Sequence, residues 1–414
     1  MKKTDNKQTK HKRLLVINDH GIFGGGTENR IRTLLVKFLE TSFFEEIHVL
    51  QIYPTDAQKQ ELLPESIKAR LFIHTIKQNY FFQTRELIQK HAIDIVQCHN
   101  LMAIGLLPLL AARTKNIPVV FYAHDYWPIC GYRSFMDPSS FEKPQLCKKD
   151  HSFGRAICLS LKSQIKYFFW KKVLNLSTLG IATGKNMVET YEKNTVLHEK
   201  WRIITPWINP FFFERTYPTR ALSLRKQKMI PHSILFVGSL LPFKGAFVAV
   251  QTMKLLVAKF PHAQLLLVGS EQEHDSPYRQ KLENIATYDN TLKNIQFLGK
   301  KTTEELRLLH RSSSVFVFPT VCMESFGQSW AEAMADGCPV ILTDISTLPE
   351  YINHKETGLL IRPNDPRALA EAVISVFQNN DFAATIAKKG TKYARTHFSL
   401  DNTYPQICTL YSEL

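Results

Sequence analysis

Apolar positions along this chain fall into two patterns that take turns. Short, nearly unbroken apolar runs at Leu14–Ile17, Ile47–Ile52, Leu71–Thr75, Ile93–Cys98, Val119–Tyr122 and Leu179–Ala182 predict buried strands. Helically spaced apolar positions lie between them: from a glycine loop to about Glu40, near Gln83–His91, and over Met102–Ala112. Strand–helix alternation of this kind predicts parallel sheets covered by helices on both faces. The alternation lapses at Phe211–Pro231, which is rich in Arg, Lys and Pro and reads as a linker. It then restarts. Strands are expected at Ser233–Val237, Gln264–Val268, Asn294–Leu298, Val315–Phe318, Val340–Leu342 and Thr357–Arg362. Helices are expected near Ala246–Lys259, at Pro366–Gln378 and Phe382–His397, and again in Asp401–Leu414. The fold class is therefore α/β with two Rossmann-like domains, residues 14–210 and 232–397, joined by the linker 211–231. A last helix, 398–414, follows, and Met1–Arg13 reads as a basic disordered tail.

The loops at strand carboxyl ends are where such sheets bind ligands. The richest of them is Pro319–Pro339, P-T-V-C-M-E-S-F-G-Q-S-W-A-E-A-M-A-D-G-C-P. Ser325 to Ala335 has helical composition, and Gly337 and Pro339 sit where a helix stops. Ser325, Phe326 and Gly327 would then offer free N–H groups backed by the positive end of a helix dipole, a seat for phosphate. Glu324 stands at its mouth. Glu332, eight residues on, lies roughly 12 Å away at helical rise. Carboxylates so far apart cannot share a metal or a proton. They suit hydroxyls at opposite ends of one long ligand, a sugar at one end and a ribose at the other, with a diphosphate between.

Three further loops carry candidate chemistry. Gly24, Gly25 and Gly26, followed by Glu28, allow close backbone approach to a ligand, although the spacing is not the dinucleotide fingerprint. His124 and Asp125 end the fifth strand; Asp125 would orient the imidazole or cap the next segment. G-S-L-L-P-F-K-G after Ser233–Val237 places Ser239 in the loop and Lys244 at a loop-to-helix junction, where its ammonium can reach a diphosphate.

Composition narrows the class. The 414 residues carry a net charge of +15, but unevenly. Lys and Arg outnumber Asp and Glu 35 to 19 in residues 1–228, against 17 to 18 in residues 229–414. An anionic surface or acceptor facing the first half is the expectation, such as acidic lipid or lipid-linked phosphate. Gly154–Gly180 mixes aromatic residues with Arg155, Lys162, Lys166, Lys171 and Lys172 and suits a basic amphipathic helix at a membrane surface. No recognised nucleic-acid motif or aromatic-interleaved basic stripe is visible, so no nucleic-acid partner is expected. The seven cysteines form no C-x-x-C pair; Cys130, Cys147 and Cys158 share one loop region without zinc-site spacing. A reduced, cytoplasmic compartment fits, with peripheral attachment to the membrane face. The longest apolar run, Leu101–Ala112, is too short to span a bilayer.

Taken together the motifs resemble family 4 of the retaining, nucleotide-sugar-dependent glycosyltransferases. The resemblance rests on E-x7-E with S-F-G at Glu324–Glu332, on G-G-x-E at Gly25, Gly26 and Glu28, on H-D at His124–Asp125, and on N-I-Q-F-L-G, which includes Leu298. It implies two domains facing across a cleft, with the last helix crossing back to the first. It implies transfer of a sugar from a nucleoside diphosphate donor to a hydroxyl. Glu324 would hold the sugar, Glu332 the ribose, Lys244 the diphosphate, and His124 would approach the sugar from the opposite domain. Leu298 precedes the loop beside the base, and Glu28 and Asp125 fall on the acceptor side. No D-x-D occurs, so no metal or other cofactor is expected. Two departures stand out: Ser239 replaces the usual Arg, and Trp207–Ile208 replace the usual Asn-Gly of the hinge. They leave room for a non-catalytic sugar-nucleotide-binding partner subunit, and a same-fold nucleotide-sugar isomerase is the nearest enzyme alternative. The base, sugar and acceptor are not given by these residues; bacterial surface polysaccharide or glycolipid synthesis is the expected setting.

Overall fold

The computed structural model describes residues 12–54, 63–130, 168–194, 196–214, 229–269 and 277–414. Cys147, Cys158, most of the basic stretch from Gly154 and most of the expected linker lie outside them.

The first sheet holds β1 (Lys12–Ile17), β2 (Phe44–Gln51), β3 (Leu71–Thr75), β4 (Ile95–Cys98), β5 (Val119–Tyr122), β6 (Leu179–Ala182) and β7 (Trp201–Ile203). The second holds β8 (Ile230–Val237), β9 (Gln264–Val268), β10 (Ile295–Gly299), β11 (Ser313–Phe318), β12 (Val340–Thr343) and β13 (Leu359–Ile361). The longer helices are α1 (Gly26–Glu40), α2 (Tyr80–Lys90), α3 (Leu107–Arg113), α4 (Lys185–Lys193), α5 (Ala246–Val257), α6 (Pro277–Tyr288), α7 (Thr303–Ser312), α8 (Gln328–Ala335), α9 (Pro366–Gln378), α10 (Asn380–His397) and α11 (Leu400–Ser412).

All strand pairs are parallel, in the orders β3-β2-β1-β4-β5-β6-β7 and β10-β9-β8-β11-β12-β13. Each order reverses once, between β1 and β4 and between β8 and β11. Those reversals open crevices at the strand carboxyl ends. Because side chains alternate across a strand, one strand feeds two layers. Leu15 and Ile17 join one core with Val96 and Phe121, while Leu14 and Val16 join another with Ile47 and Val120. Both faces are buried, which is why these strands read as continuous apolar runs.

Several boundaries differ from the sequence pattern. Lys12 and Arg13, assigned to the tail, belong to β1, and the Arg13 amide donates to Asp94 Oδ2 at 2.8 Å. At the linker, Pro210–Phe213 forms a 3-10 turn capped by Asn209, with Phe212 buried in the second domain's core. Ile230 and Pro231 are already strand. The last helix, α11, packs on the first domain, placing Leu400, Ile407 and Tyr411 in its core. Its Tyr411 hydroxyl hydrogen-bonds the Gln97 amide in β4, and Asp401 pairs with Lys37 at 3.0 Å.

Candidate functional site

A cleft of about 930 Å³ lies between the two switch points. Gly25, Gly26, His124 and Asp125 line it from the first domain; Ser239, Lys244, Glu324, Ser325, Phe326, Gly327 and Glu332 line it from the second. Two of the expected residues do not. Leu298 packs against the second domain's core, although Lys300 to Glu304 just after it do reach the cleft. Glu28 is buried beneath the glycine loop, its Oε2 3.1 Å from where a Gly24 Cβ would stand.

Lys244 and Glu324 come from the loops after β8 and β11, the two strands flanking the switch point. Those loops are stitched together: Phe243 O accepts from the Val321 amide and the Thr320 hydroxyl, each at 3.0 Å. Gly245 makes this contact possible. It sits at φ 89°, and a Cβ there would lie 1.9 Å from Pro319 O. The result is an ion pair between Lys244 Nζ and Glu324 Oε1 on the cleft wall. Burial pulls the lysine pKa down, but Glu324, with Cys322 and Asp125 adding to it, outweighs burial and the net shift is upward.

The α8 helix begins at Gln328, not at Ser325 as its composition suggests. The Ser325–Gly327 turn precedes it, so the helical-rise distance between Glu324 and Glu332 does not apply. Gly327 adopts φ 79°, and a Cβ there would press into the Phe318 ring at 2.7 Å. Phe326 is buried against Trp330, Tyr351 and Phe398. The Ser325 carbonyl accepts from Thr183 at 2.6 Å and Thr347 at 2.8 Å, and its hydroxyl donates to His124 O at 2.5 Å. With carbonyls and side chains so tied, the backbone N–H groups of Ser325, Phe326 and Gly327 meet no acceptor among the described residues. Glu332, one helical turn in, is half-buried; burial, with Asp336 adding to it, raises its pKa to about 8.

On the facing domain a hydrogen-bonded chain runs through His124. Arg30 Nη2 meets its Nδ1 at 3.1 Å, its Nε2 meets His99 Nδ1 at 2.7 Å, and His99 Nε2 meets the Gln97 amide at 2.5 Å. A guanidinium only donates, so His124 accepts at Nδ1 and donates at Nε2, and His99 donates in turn. Gln97 then turns its amide oxygen to His99 and its nitrogen to Tyr411. Burial, with its neighbours' charges, lowers the His99 pKa to about 3 and holds His124 well below the usual range. Both rings are neutral. The imidazole's two ring nitrogens are engaged by Arg30 and His99, and the Asp125 main-chain carbonyl accepts from the Tyr191 hydroxyl.

Sequence reasoning missed Arg30, which is 8% exposed and lines the cleft, and whose pKa burial lowers to about 10. Its signal was its place on the first turns of α1, one helical turn past Gly26. Arg32, Lys300 and Lys301 also line the cleft, so Ser239 does not leave the site poor in cations. Trp207 and Ile208 are buried hinge residues. The indole donates to Thr33 Oγ1 at 2.8 Å, and the Ile208 amide donates to Phe398 O at 3.0 Å.

Two doubly wound parallel sheets facing across a basic cleft are the architecture of glycosyltransferases of the B fold. HepE from Anabaena, solved with UDP-glucose, superposes with a TM-score of 0.74 at 18% identity over 98% of this chain and 100% of its own. Sucrose-phosphate synthase from Thermosynechococcus elongatus gives 0.73 at 20% identity, over 97% and 99%. Residues 24–210 match glycosyltransferase family 4, and residues 225–393 match the group 1 glycosyl transferases. A D-inositol 3-phosphate glycosyltransferase of Corynebacterium efficiens is 30% identical over 77% of this chain and 71% of its own. The capsular polysaccharide biosynthesis glycosyltransferase CapM of Staphylococcus aureus is 26% identical over 43% and 45%. The chain belongs to the group 1, family 4 glycosyltransferases.

Proposed function

We propose that the protein is a retaining glycosyltransferase that moves a sugar from a nucleoside diphosphate donor to a hydroxyl acceptor without a metal. The observation that carries this reading is the Lys244–Glu324 pair beside the N–H groups of Ser325–Gly327. Breaking the bond from the sugar's anomeric carbon to the β-phosphate oxygen leaves its electron pair on the diphosphate. A fixed ammonium and preorganised N–H groups in a water-poor cleft stabilise that charge without reorganising. The acceptor hydroxyl adds to the same face of the carbon, and its proton passes to the departing phosphate oxygen. Glu324 accepts from sugar hydroxyls and Glu332 from the ribose. Donor binding then redirects Lys244 from Glu324 to the diphosphate. Neutral His124, both its ring nitrogens held by Arg30 and His99, faces the sugar from the other domain as an uncharged packing surface, not a cation.

The acceptor side is expected to meet an anionic or lipid-linked substrate. Phe168 and Phe169 are 56% and 61% exposed, and Lys172 Nζ lies 4.5 Å over the Phe168 ring. That apolar and basic pairing suits peripheral contact with an acidic membrane; among the described residues no helix is long and apolar enough to cross one. The test begins with thermal shifts against uridine, guanosine and adenosine diphosphate sugars. Ligand at ~100 times its dissociation constant adds about 2.7 kcal/mol. The selected donor is then offered with lipid-linked acceptors, and the anomeric configuration of the product is read by NMR. Retained configuration supports the reading. An inverted product removes the retaining assignment, and donor consumption without any acceptor moves the reading to an isomerase.

A further inference from the structure

On the β2–β3 side of the first sheet three histidines converge. His48 on β2 and His74 on β3 share a sheet face, because Leu50 is the register partner of His74 and His48 lies two residues before it. His91 closes the end of α2 beside them. The rings gather as a cluster, with His48 and His91 centroids 4.2 Å apart and His48 and His74 centroids 5.3 Å apart. One ring nitrogen from each of the three lies within 4.8 Å of the others.

We infer that His48, His74 and His91 form a structural site for a divalent transition-metal ion of the zinc class. Three imidazoles and no thiolate suit zinc, nickel or copper and disfavour magnesium and calcium, which want oxygen. A tetrahedral zinc ion needs nitrogens about 3.3 Å apart, from Zn–N bonds of about 2.0–2.1 Å. The nitrogens, within 4.8 Å of one another, would have to draw together by up to about 1.5 Å, a movement that falls to His74 and His91, both half-buried. His48 is 1% exposed and is the fixed member. Its Nδ1 faces His74 Nε2 at 3.0 Å, while its buried Nε2 has no hydrogen-bond partner. Glu46 Oε2 lies 3.6 Å from that nitrogen, with Arg13 Nε 3.4 Å from the same oxygen. A carboxylate so placed attracts the Nε2–H and orients the ring, with Nδ1 left to face the ion. None of these residues lines the cleft, so the site is separate from sugar transfer. Its consequence is structural. β3 is the sheet's edge strand, and the metal would staple it to β2 and to α2.

The inference stands apart from the transferase reading and is tested without it. Full-length protein stripped with chelator is titrated with Zn²⁺ by calorimetry and with Co²⁺ by visible absorption. Saturable binding of one ion, weak tetrahedral cobalt bands without a thiolate charge-transfer band, and a rise in melting temperature are expected. His74→Gln and His91→Gln should each abolish that binding, and Glu46→Gln should weaken it by about 10–100-fold. The two histidines are half-buried, so the variants remain testable for folding by their metal-free melting curves. A strong thiolate band, binding that survives both histidine substitutions, or no saturable binding to the wild-type chain overturns the inference.

Discussion

The two ends of α8 each hold a charged cluster, and the clusters behave in opposite ways. Before its N-terminus, Lys244 and Glu324 pair with side chains 27% and 10% exposed, on the wall of the cleft. At its C-terminus, the Asp336 side chain is fully buried and accepts from Arg307 at 2.9 Å and His310 at 3.0 Å, with Arg311 at 3.5 Å. Arg307 also donates to Phe211 O at 2.5 Å and lies 4.3 Å over the Phe211 ring, so this cluster fastens α7, α8 and the hinge turn together. The first pair has room beside it for another anion; the second has none. Chemistry of one kind thus makes a latch at one end and a strut at the other, and burial decides which. The strut also acts on the site, because the Asp336 charge adds to burial in raising the Glu332 pKa.

The largest effect is expected where the strut is cut. Asp336→Ala leaves Arg307 buried without its carboxylate and should cost about 3–5 kcal/mol of folding stability, the scale for breaking a buried pair from one side. Chemical denaturation measures it. A loss under about 1 kcal/mol would mean that water or the Phe211 and Glu214 carbonyls already satisfy Arg307, and the contrast between the two ends would fail. At the latch the order reverses, with function lost and stability kept. Lys244→Ala and Glu324→Ala should each lower transfer by at least about 10²-fold, the scale of one preorganised charge contact. Their melting temperatures should change little. Near-normal turnover in both variants would remove the site assignment.

Glu332 reports whether the two ends communicate. Its pKa near 8 leaves it mostly protonated at neutral pH, and a ribose hydroxyl donating to it favours the ionised form. Donor binding then releases a proton, so affinity should rise from pH 6 to 8, by at most about tenfold per unit, and level off above. Stability runs the other way. The folded state holds this proton to a higher pH than the unfolded chain, so stability falls as pH rises from about 4.5 to 8. Glu332→Gln should flatten both profiles while weakening donor binding at pH 8 and above. A donor affinity equally flat in the wild type would sink the ribose role.

What could be read from the chain beforehand was whatever depends on neighbours in sequence. Buried parallel strands are continuous apolar runs, so Leu71–Thr75, Val119–Tyr122, Leu179–Ala182 and Gln264–Val268 fall where the pattern puts them. The loops that follow strands are equally visible, which is why Lys244, Glu324 and His124 could be singled out. The start of α8 could not. Ser325–Gly327 has helical composition, but Phe326 is drawn into a cluster with Phe398, and Gly327 is pinned against Phe318. Arg30, His99 and the three clustered histidines were invisible for the same reason: their partners lie on other strands or helices. The chain from His124 to Tyr411 crosses from β5 to α11, and no periodicity carries that information.

The mildest test of the comparison uses a third carboxylate. Glu350, exposed on the second domain, caps α4 of the first: its oxygens accept from the Lys185 and Asn186 amides at 2.7 and 2.8 Å. The anion meets the positive end of that helix, and a Cβ at Gly184 would lie 2.8 Å from its Oε2. This contact is more exposed than the Lys244–Glu324 pair yet, like the strut, joins separate elements. Removing it should cost about 0.5–2 kcal/mol, as for other lost helix caps. Because it bridges the domains, the loss should fall on their closure more than on folding. For Glu350→Ala we expect a small increase in radius of gyration in solution scattering without donor, a melting temperature within a few degrees of wild type, and compaction restored when donor is added. An unchanged radius with a lower melting temperature would make Glu350 an ordinary cap. Exposure alone would then not mark a contact between the domains as one that opens.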